Sequence, residues 1–150
     1  MRGTTQVPSV YIILRQENKV VFLKRTNTDF MNGKYTLPAG HVEGLETYRE
    51  AAVRETAEEV GVAIKEDDLQ HVHTMERHCG DHVRIDVFFE AQKWRGEPVN
   101  NEPDMHGELA WFDAEALPND MLMDFQASAL SSIAQGETYS EFGWPRDKGL

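Results

Sequence analysis

Three glutamates, Glu55, Glu58 and Glu59, stand close together in a strongly acidic stretch of the sequence. Nine of the 26 acidic residues lie between positions 43 and 68, where only three basic residues offset them. On a helix, the three carboxylates would share one face within an arc of about 100°. Like charges at this spacing destabilise an isolated helix by roughly 0.2–0.5 kcal/mol per pair. A divalent cation such as Mg²⁺ or Mn²⁺ removes that repulsion, because both ions prefer carboxylate oxygen ligands.

The same glutamates also fit a simpler interpretation, the solvent-exposed face of an amphipathic helix. Val53, Ala57 and Val60 recur at helical spacing on the opposite side and would form the buried face. On the carboxylates alone, the exposed face is the more common case, since glutamate is frequent on helix surfaces. The choice between the two interpretations therefore depends on the residues around the three glutamates.

The hydrophobic patterning predicts the elements that must position these glutamates. A helix is expected from near Thr47 to about Val60, with Gly61 as its C-terminal stop. A second helix is expected to follow an N-capping turn at residues 117–120 and to run to Gln135. Strands are predicted over residues 10–14, 20–23, 36–37, 69–78, 82–93 and 109–112. This order predicts the α/β class, with a mixed sheet sandwiched between helices.

Length and composition favour a single domain over residues 1–150, since no repeat or linker divides the chain. The formal net charge of −11 disfavours nucleic-acid polymers and anionic membrane surfaces as partners. A small phosphorylated molecule remains compatible, because a bound divalent cation would invert the local field. Cys79 is the only cysteine, and the sequence has neither a secretory signal nor a run approaching the ~20 apolar residues of a membrane helix. We therefore expect a cytoplasmic monomer or homodimer.

The segment from Gly40 to Val62 resembles the Nudix box, G-x5-E-x7-R-E-U-x-E-E-x-G-U, in which U is a bulky apolar residue. The segment reads GHVEGLETYREAAVRETAEEVGV, and its matched fixed positions are Gly40, Glu46, Arg54, Glu55, Glu58, Glu59 and Gly61. Thr56 stands where the box has an aliphatic residue, and its methyl group can still pack. The resemblance implies the Nudix fold over nearly the whole chain and a hydrolase that cleaves a nucleoside diphosphate linked to another group.

The resemblance also implies a role for each matched residue. The implied ligands of Mg²⁺ (or Mn²⁺) are the backbone carbonyl of Ala39 and the carboxylates of Glu55, Glu58 and Glu59. Glu46 and Arg54 would orient the ligand helix without contacting the substrate. Metal ions held in this way would neutralise a pyrophosphate and lower the pKa of the attacking water.

Two further stretches resemble the MutT-like branch of this family. The sequence LKR at residues 23–25, followed after a loop by LPAG at residues 37–40, aligns Arg25 with an arginine that contacts phosphate. The stretch WRGEPVNNE resembles a loop whose final glutamate is a metal ligand or general base, which implies that role for Glu102. Glu97 and Glu108 remain alternatives for that carboxylate, and a solvated strand-end arginine remains the alternative for Arg25.

Recognition of the base is less defined in the sequence. Asn119 follows Leu117-Pro118 as a purine-reading asparagine does in MutT proteins, although Pro-Asn is also an ordinary helix start. Tyr35, Phe30 and Phe88 are weaker candidates for contacts with a base. The histidines show no set with zinc-ligand spacing, although His71 and His73 could share a strand face.

The resemblance implies hydrolysis of a nucleoside triphosphate, normal or oxidised, to a nucleoside monophosphate and pyrophosphate. One alternative is hydrolysis of a nucleoside diphosphate derivative such as ADP-ribose or a nucleotide sugar. The proline that marks that branch about fifteen residues beyond the box is absent from residues 71–78. Another alternative is a catalytically silent module that binds a nucleotide. The complete glutamate set disfavours this module, because pure binding would not need closely spaced like charges.

Overall fold

The computed structural model describes residues 3–26 and 32–145 of the chain. The strands of this part are β1 (Gln6–Gln16), β2 (Lys19–Arg25), β3 (Tyr35–Thr36), β4 (Ala39–His41), β5 (Gln70–His78), β6 (Val83–Ala91), β7 (His106–Asp113) and β8 (Tyr139–Phe142). Its α-helices are α1 (Tyr48–Val60) and α2 (Asp124–Ala134), and 3₁₀ turns occur at Glu66–Asp68 and Asn119–Met121. No helix of the described part is long and apolar enough to cross a membrane.

The eight strands form one mixed sheet in the order β3-β2-β1-β6-β5-β8, with β4 paired to β1 and β7 paired to β2. The long strand β1 runs parallel to β6 over residues 6–14. Its other edge is divided between two antiparallel partners. Residues 9–11 pair with β4, whereas Arg15 and Gln16 pair with the start of β2. The hairpin of β1 and β2 therefore forms only next to its turn, because β4 pairs with the same edge of β1 at residues 9–11.

Helices cover the sheet on both faces, which confirms the predicted α/β arrangement. On one face, Val10 and Ile12 of β1 belong to the same buried cluster as Ala52 of α1. On the other face, Tyr11 and Ile13 belong to a second cluster with residues of α2. Strand β1 is apolar on both faces for this reason, as expected for a central parallel strand. The glutamates of α1 thus lie on the same side of the sheet as the first cluster.

Helix α1 has the boundaries that the sequence predicts. Thr47 accepts a hydrogen bond from the backbone N–H of Glu50 and the Glu50 carboxylate accepts one in return, which forms a capping box. Gly61 ends the helix with a φ of 72°, a left-handed conformation that glycine adopts without steric cost.

The buried face of α1 differs from the predicted one. Ala52 and Thr56 are fully buried, whereas Ala57 is exposed. The small Ala52 lets the helix approach the sheet closely, and the Thr56 hydroxyl is satisfied by the backbone carbonyl of Ala52 at 2.6 Å. With this face against the sheet, Glu55 and Glu59 lie at the flank of the helix beside β4.

Helix α2 begins at Asp124, four residues after the end of the predicted N-capping turn at residues 117–120. The reason lies in β3, because Leu122 bridges to Tyr35 and the backbone N–H of Met123 donates to the Tyr35 carbonyl at 3.1 Å. These contacts hold Leu122 and Met123 in an extended conformation, so α2 begins only at Asp124. After α2, Trp144 donates from Nε1 to the backbone carbonyl of Glu76 at 3.0 Å. This hydrogen bond holds Trp144 against β5.

Candidate metal-dependent hydrolase site

Arg54 connects the loop before α1 to the helix itself. Its guanidinium donates to both carboxylate oxygens of Glu46, at 2.6 and 3.0 Å, and to the backbone carbonyl of His41 at 3.0 Å. The hydrogen bonds from Arg54, together with one from the backbone N–H of Glu43, lower the pKa of Glu46 to about 2. Glu46 is therefore ionised at neutral pH, and the pair fixes the loop between β4 and α1.

The same guanidinium also contacts the glutamates of the helix. Arg54 donates from Nη1 to Glu55 at 2.8 Å and to Glu58 at 3.3 Å. Burial raises the pKa of Glu55, and Arg54 opposes that rise through its hydrogen bond and its charge. Arg54 thus offsets part of the repulsion among the carboxylates and fixes the Glu55 side chain.

Gly40 gives the Glu55 carboxylate its space. A Cβ atom added at Gly40 would lie 2.1 Å from Cδ of Glu55, far inside van der Waals contact. The glycine is therefore required by the close approach of the carboxylate to β4 and not by a backbone conformation.

Replacing Gly40 with Ala is expected to move the Glu55 carboxylate while leaving the fold intact, because the clash involves the end of a flexible side chain. A displacement of about 1 Å at a catalytic site costs about 10²-fold in rate, and we expect kcat to fall by that factor. The melting temperature should change by less than about 4 °C, which corresponds to roughly 1 kcal/mol for a domain of this size. Gly3→Ala is the control, since nothing lies within 4 Å of an added Cβ there. Wild-type turnover of Gly40→Ala would contradict the importance of this contact.

Glu59 is bound to the backbone of β4. Its Oε1 accepts a hydrogen bond from the backbone N–H of Ala39 at 2.8 Å. Burial raises the pKa of Glu59 well above its ordinary value, and the negative charges of Glu55, Glu102 and Glu58 raise it further, whereas the Ala39 N–H lowers it. A carboxylate held in such surroundings gains most from a cation, which would offset both burial and repulsion.

The loop between β6 and β7 is docked onto the C-terminal end of α1. The backbone N–H of Val99 donates to the carbonyl of Val60 at 3.0 Å, and that of Asn101 donates to the carbonyl of Glu59 at 2.9 Å. The Asn101 side chain adds a hydrogen bond to the carbonyl of Glu58 at 3.1 Å. These contacts satisfy carbonyls that a helix end leaves without partners. The docked loop also carries Glu102 to the glutamates of α1.

Glu102 and Glu59 converge with a histidine that the sequence analysis did not single out. One ligand atom each of Glu59, Glu102 and His106 lie within 4.8 Å of one another. His106 is only 6% exposed, and its Nδ1 has no hydrogen-bond partner among the described residues. Burial lowers the pKa of His106, and the charge of Arg25 lowers it further. The ring is therefore neutral at neutral pH.

A cavity of about 420 Å³ opens beside β4, and Arg25, Arg77 and Arg84 line its wall. Arg77 forms an ion pair with the buried Asp86 at 2.7 Å. Arg84 donates to Nε2 of His41 at 3.0 Å and forms no ion pair within the described residues. Although the chain carries a net charge of −11, this cavity therefore offers positive charge to a ligand.

The NUDIX domain family matches residues 5–133, which include every residue of the site described above. The chain belongs to the Nudix family. A crystal structure of a MutT NUDIX hydrolase from Burkholderia pseudomallei is 25% identical, with a TM-score of 0.75, and covers 85% of this chain and 97% of that one.

Two curated relatives carry different substrate names. The ADP-ribose pyrophosphatase of Methanocaldococcus jannaschii is 36% identical over 107 residues, 71% of this chain and 61% of the relative. The 8-oxo-dGTP diphosphatase of Escherichia coli is 35% identical over 92 residues, 60% of this chain and 69% of the relative. The chain thus spans about two thirds of the length of these relatives. The similarity to MutT proteins confirms the MutT-like branch.

The other candidates from the sequence lie apart from the Nudix glutamates. Asn119 is exposed in its 3₁₀ turn and does not line the cavity, so its contact with a base stays a prediction. Glu108 accepts a hydrogen bond from the Tyr35 hydroxyl, which raises the pKa of Tyr35 to about 12. Glu97 is exposed, and Phe88 is fully buried. The candidate Phe30 lies outside the described residues.

The donor set of the Nudix site fits a divalent cation. Glu55, Glu59 and Glu102 offer oxygen ligands from two elements that hydrogen bonds hold together. Glu58 is half-exposed at the rim and contacts Arg54. His106 is a further donor, because one of its ring nitrogens lies within 4.8 Å of carboxylate oxygens of Glu59 and Glu102, and its Nδ1 has no hydrogen-bond partner among the described residues. No pattern in the sequence singles out His106, apart from its position four residues after Glu102.

Proposed function

We propose that this protein is a divalent-metal-dependent pyrophosphohydrolase that converts a nucleoside triphosphate, normal or oxidised, to a nucleoside monophosphate and pyrophosphate. The observation that carries the proposal is the meeting of Glu55, Glu59 and Glu102 beside Gly40, at the edge of a cavity with a basic wall. An anionic substrate would be repelled by the carboxylates alone. Metal cations bound by the glutamates would act together with the arginines of the cavity. The two sources of positive charge would make a site that binds a polyphosphate.

In this proposal, Mg²⁺ or Mn²⁺ is held by Glu55, Glu58, Glu59 and Glu102, with the Ala39 carbonyl as an additional ligand. The cation, when bound, neutralises the diphosphate and makes the attacking water more acidic. Arg54 and Glu46 hold α1, which carries the ligand glutamates, in a fixed position beside β4 through their bidentate contact.

The roles of proton acceptor and phosphate binding are assigned to residues in or near the cavity. One oxygen of Glu102 would accept a proton from the attacking water, and the same carboxylate would help to hold the cation. Arg25 lines the same cavity as Gly40 and is assigned to a phosphate of the substrate. Among the described residues, Arg84 has only the neutral partners Ser9 and His41, and its charge is therefore available to the same phosphates.

Hydrolysis of a nucleoside diphosphate derivative is the second candidate, because the relative named for ADP-ribose is as similar to this chain as the one named for 8-oxo-dGTP. The triphosphate is preferred on the two MutT-like stretches, which carry Arg25 and Glu102. The preference for a small-molecule nucleotide over a nucleic-acid polymer rests on the net charge of −11.

The test is a panel of nucleoside triphosphates, 8-oxo-dGTP, ADP-ribose and nucleotide sugars, each incubated with Mg²⁺ or Mn²⁺ and analysed for both products. The proposal expects a monophosphate and pyrophosphate in equal amounts from a triphosphate, with no product in excess EDTA. A monophosphate together with ribose 5-phosphate from ADP-ribose, and no triphosphate turnover, would establish the second candidate instead. Binding of nucleotides without any product would indicate the silent module.

A further inference from the structure

His106 stands out among the buried polar residues, because its Nδ1 has no hydrogen-bond partner among the described residues. The residue is only 6% exposed, so bulk solvent does not reach this atom. An unsatisfied buried polar atom costs about 1–3 kcal/mol, and such atoms are rare unless they have a function. A ligand that accepts the lone pair of the imidazole would remove this cost.

The direction of this imidazole is set by the same loop that carries Glu102. The backbone N–H of His106 donates to the carbonyl of Glu102 at 3.0 Å, which closes a turn between residues four positions apart. The Asn100 side chain donates to the carbonyl of His106 at 2.7 Å. Residues four apart in such a turn present their side chains on the same side, as in a helix. Glu102 and His106 therefore reach Glu59 together.

We propose that His106 is a nitrogen ligand of a cation held jointly by Glu59 and Glu102, and that this site prefers a first-row transition metal such as Co²⁺ or Zn²⁺ over Mg²⁺. The proposal builds on the metal role that the proposed function gives to the two glutamates. It adds a donor outside the Nudix box and a selectivity that carboxylates alone would not provide.

The distances are compatible with one shared ion. Zinc lies about 2.0–2.2 Å from nitrogen and oxygen ligands, so two neighbouring donors of a tetrahedral ion are about 3.4 Å apart. The three donor atoms lie within 4.8 Å of one another, and side-chain rotations would bring them to that separation around one ion. Three donors from protein leave room in the coordination sphere for a substrate oxygen.

The selectivity follows from the chemistry of the donors. Imidazole nitrogen suits Zn²⁺, Co²⁺ and related ions, whereas Mg²⁺ takes oxygen ligands and keeps several of its waters. Removing the imidazole should therefore affect transition-metal ions selectively. A histidine that serves only to fill the core would not distinguish between metals.

Calorimetric titration of the nucleotide-free protein with Co²⁺, Zn²⁺ or Mg²⁺ alone tests the proposal. Replacement of His106 with Asn should weaken Co²⁺ and Zn²⁺ binding by about 10–100-fold and Mg²⁺ binding by less than about threefold. The matched control is His71→Asn on β5, where the exposed imidazole contacts Thr74 and the Phe89 ring, and we expect it to bind all three ions as the wild type does. Unchanged Co²⁺ and Zn²⁺ affinity in His106→Asn, or an equal loss for all three ions, would overturn the proposal.

A measurement on the wild-type protein keeps the test independent of how the variant folds. In protein labelled with ¹⁵N-histidine, Zn²⁺ should shift one ring nitrogen of His106 by tens of parts per million, and Mg²⁺ should not. Absence of that shift at saturating Zn²⁺ would refute ligation by His106. Because both experiments use metal alone, they are separate from the substrate panel. Nucleotide hydrolysis without a histidine effect would overturn this proposal only, and a histidine effect without hydrolysis would overturn the proposed function only.

Discussion

Replacing Glu59 with Gln is expected to lower kcat by about 10³-fold while the metal-free protein remains at least as stable as the wild type. Gln retains the volume and the oxygen that accepts the hydrogen bond from Ala39. It removes a negative charge that is buried and repelled by Glu55 and Glu102. The metal-free folded state is therefore relieved of a destabilising interaction. The loss appears in catalysis, because groups that stabilise developing charge are each worth about 10²–10³ in rate or more. Steady-state kinetics and thermal unfolding in EDTA measure the two effects.

Thermal unfolding with Mg²⁺ or Mn²⁺ provides the second measurement on the same variant. A cation that binds only the folded state raises its stability in proportion to the logarithm of metal concentration over Kd. The wild type should gain more than Glu59→Gln at each metal concentration. Glu66→Gln, in the exposed 3₁₀ turn beyond α1, serves as the control for loss of one negative charge. Wild-type turnover at limiting metal, or a large fall in the melting temperature of metal-free Glu59→Gln, would favour a purely structural glutamate.

Local signals in the sequence were sufficient to predict α1 and its ends. Thr47 with Glu50 at the start and Gly61 at the end are chemical signals confined to one or two turns of chain, and tertiary contacts do not override them here. The rotation of the helix about its axis was not predictable in this way. Ala52 and Thr56 form the buried face because small or satisfied side chains allow close approach to the sheet, which depends on the partner surface.

Contacts between distant segments account for the parts that the sequence did not predict. The pairing of β4 with β1 limits the first hairpin, and the bridge between Tyr35 and Leu122 delays α2. Both contacts join residues that no local pattern relates. His106 was overlooked for the same reason. A lone histidine has no spacing signal, and its significance arises only when the loop folds onto α1.

The charge distribution shows why net charge alone describes this site poorly. The chain is acidic overall at −11, yet the glutamates of α1 face a cavity with three arginines in its wall. Arg77 is neutralised by Asp86, whereas Arg84 is bound by neutral groups only within the described residues. Arg84 therefore offers a positive charge to an anion in spite of the acidic surface of the chain as a whole.

Replacing Glu102 with Gln is expected to lower kcat by about 10²–10⁴, the usual value of general-base assistance. Periodicity gives no reason to expect Glu102 near the glutamates of α1, since it lies in the loop between β6 and β7. The hydrogen bonds from Val99 and Asn101 to the end of α1 supply the reason, because they dock that loop. The docked carboxylate is then close enough to Glu59 for both to hold one cation, as the proposed function requires.

Metal titration separates the two parts of this role in the Glu102→Gln variant. If the carboxylate contributes as a ligand, Kd for Mn²⁺ rises together with the fall in kcat, and added metal restores part of the rate. If it acts mainly as the base, kcat stays low at saturating Mn²⁺ while Kd changes little. Glu97→Gln is the matched control, because Glu97 belongs to the same loop and is exposed, and its kcat should remain within about twofold of the wild type. Near-normal kcat for Glu102→Gln would remove Glu102 from the mechanism altogether.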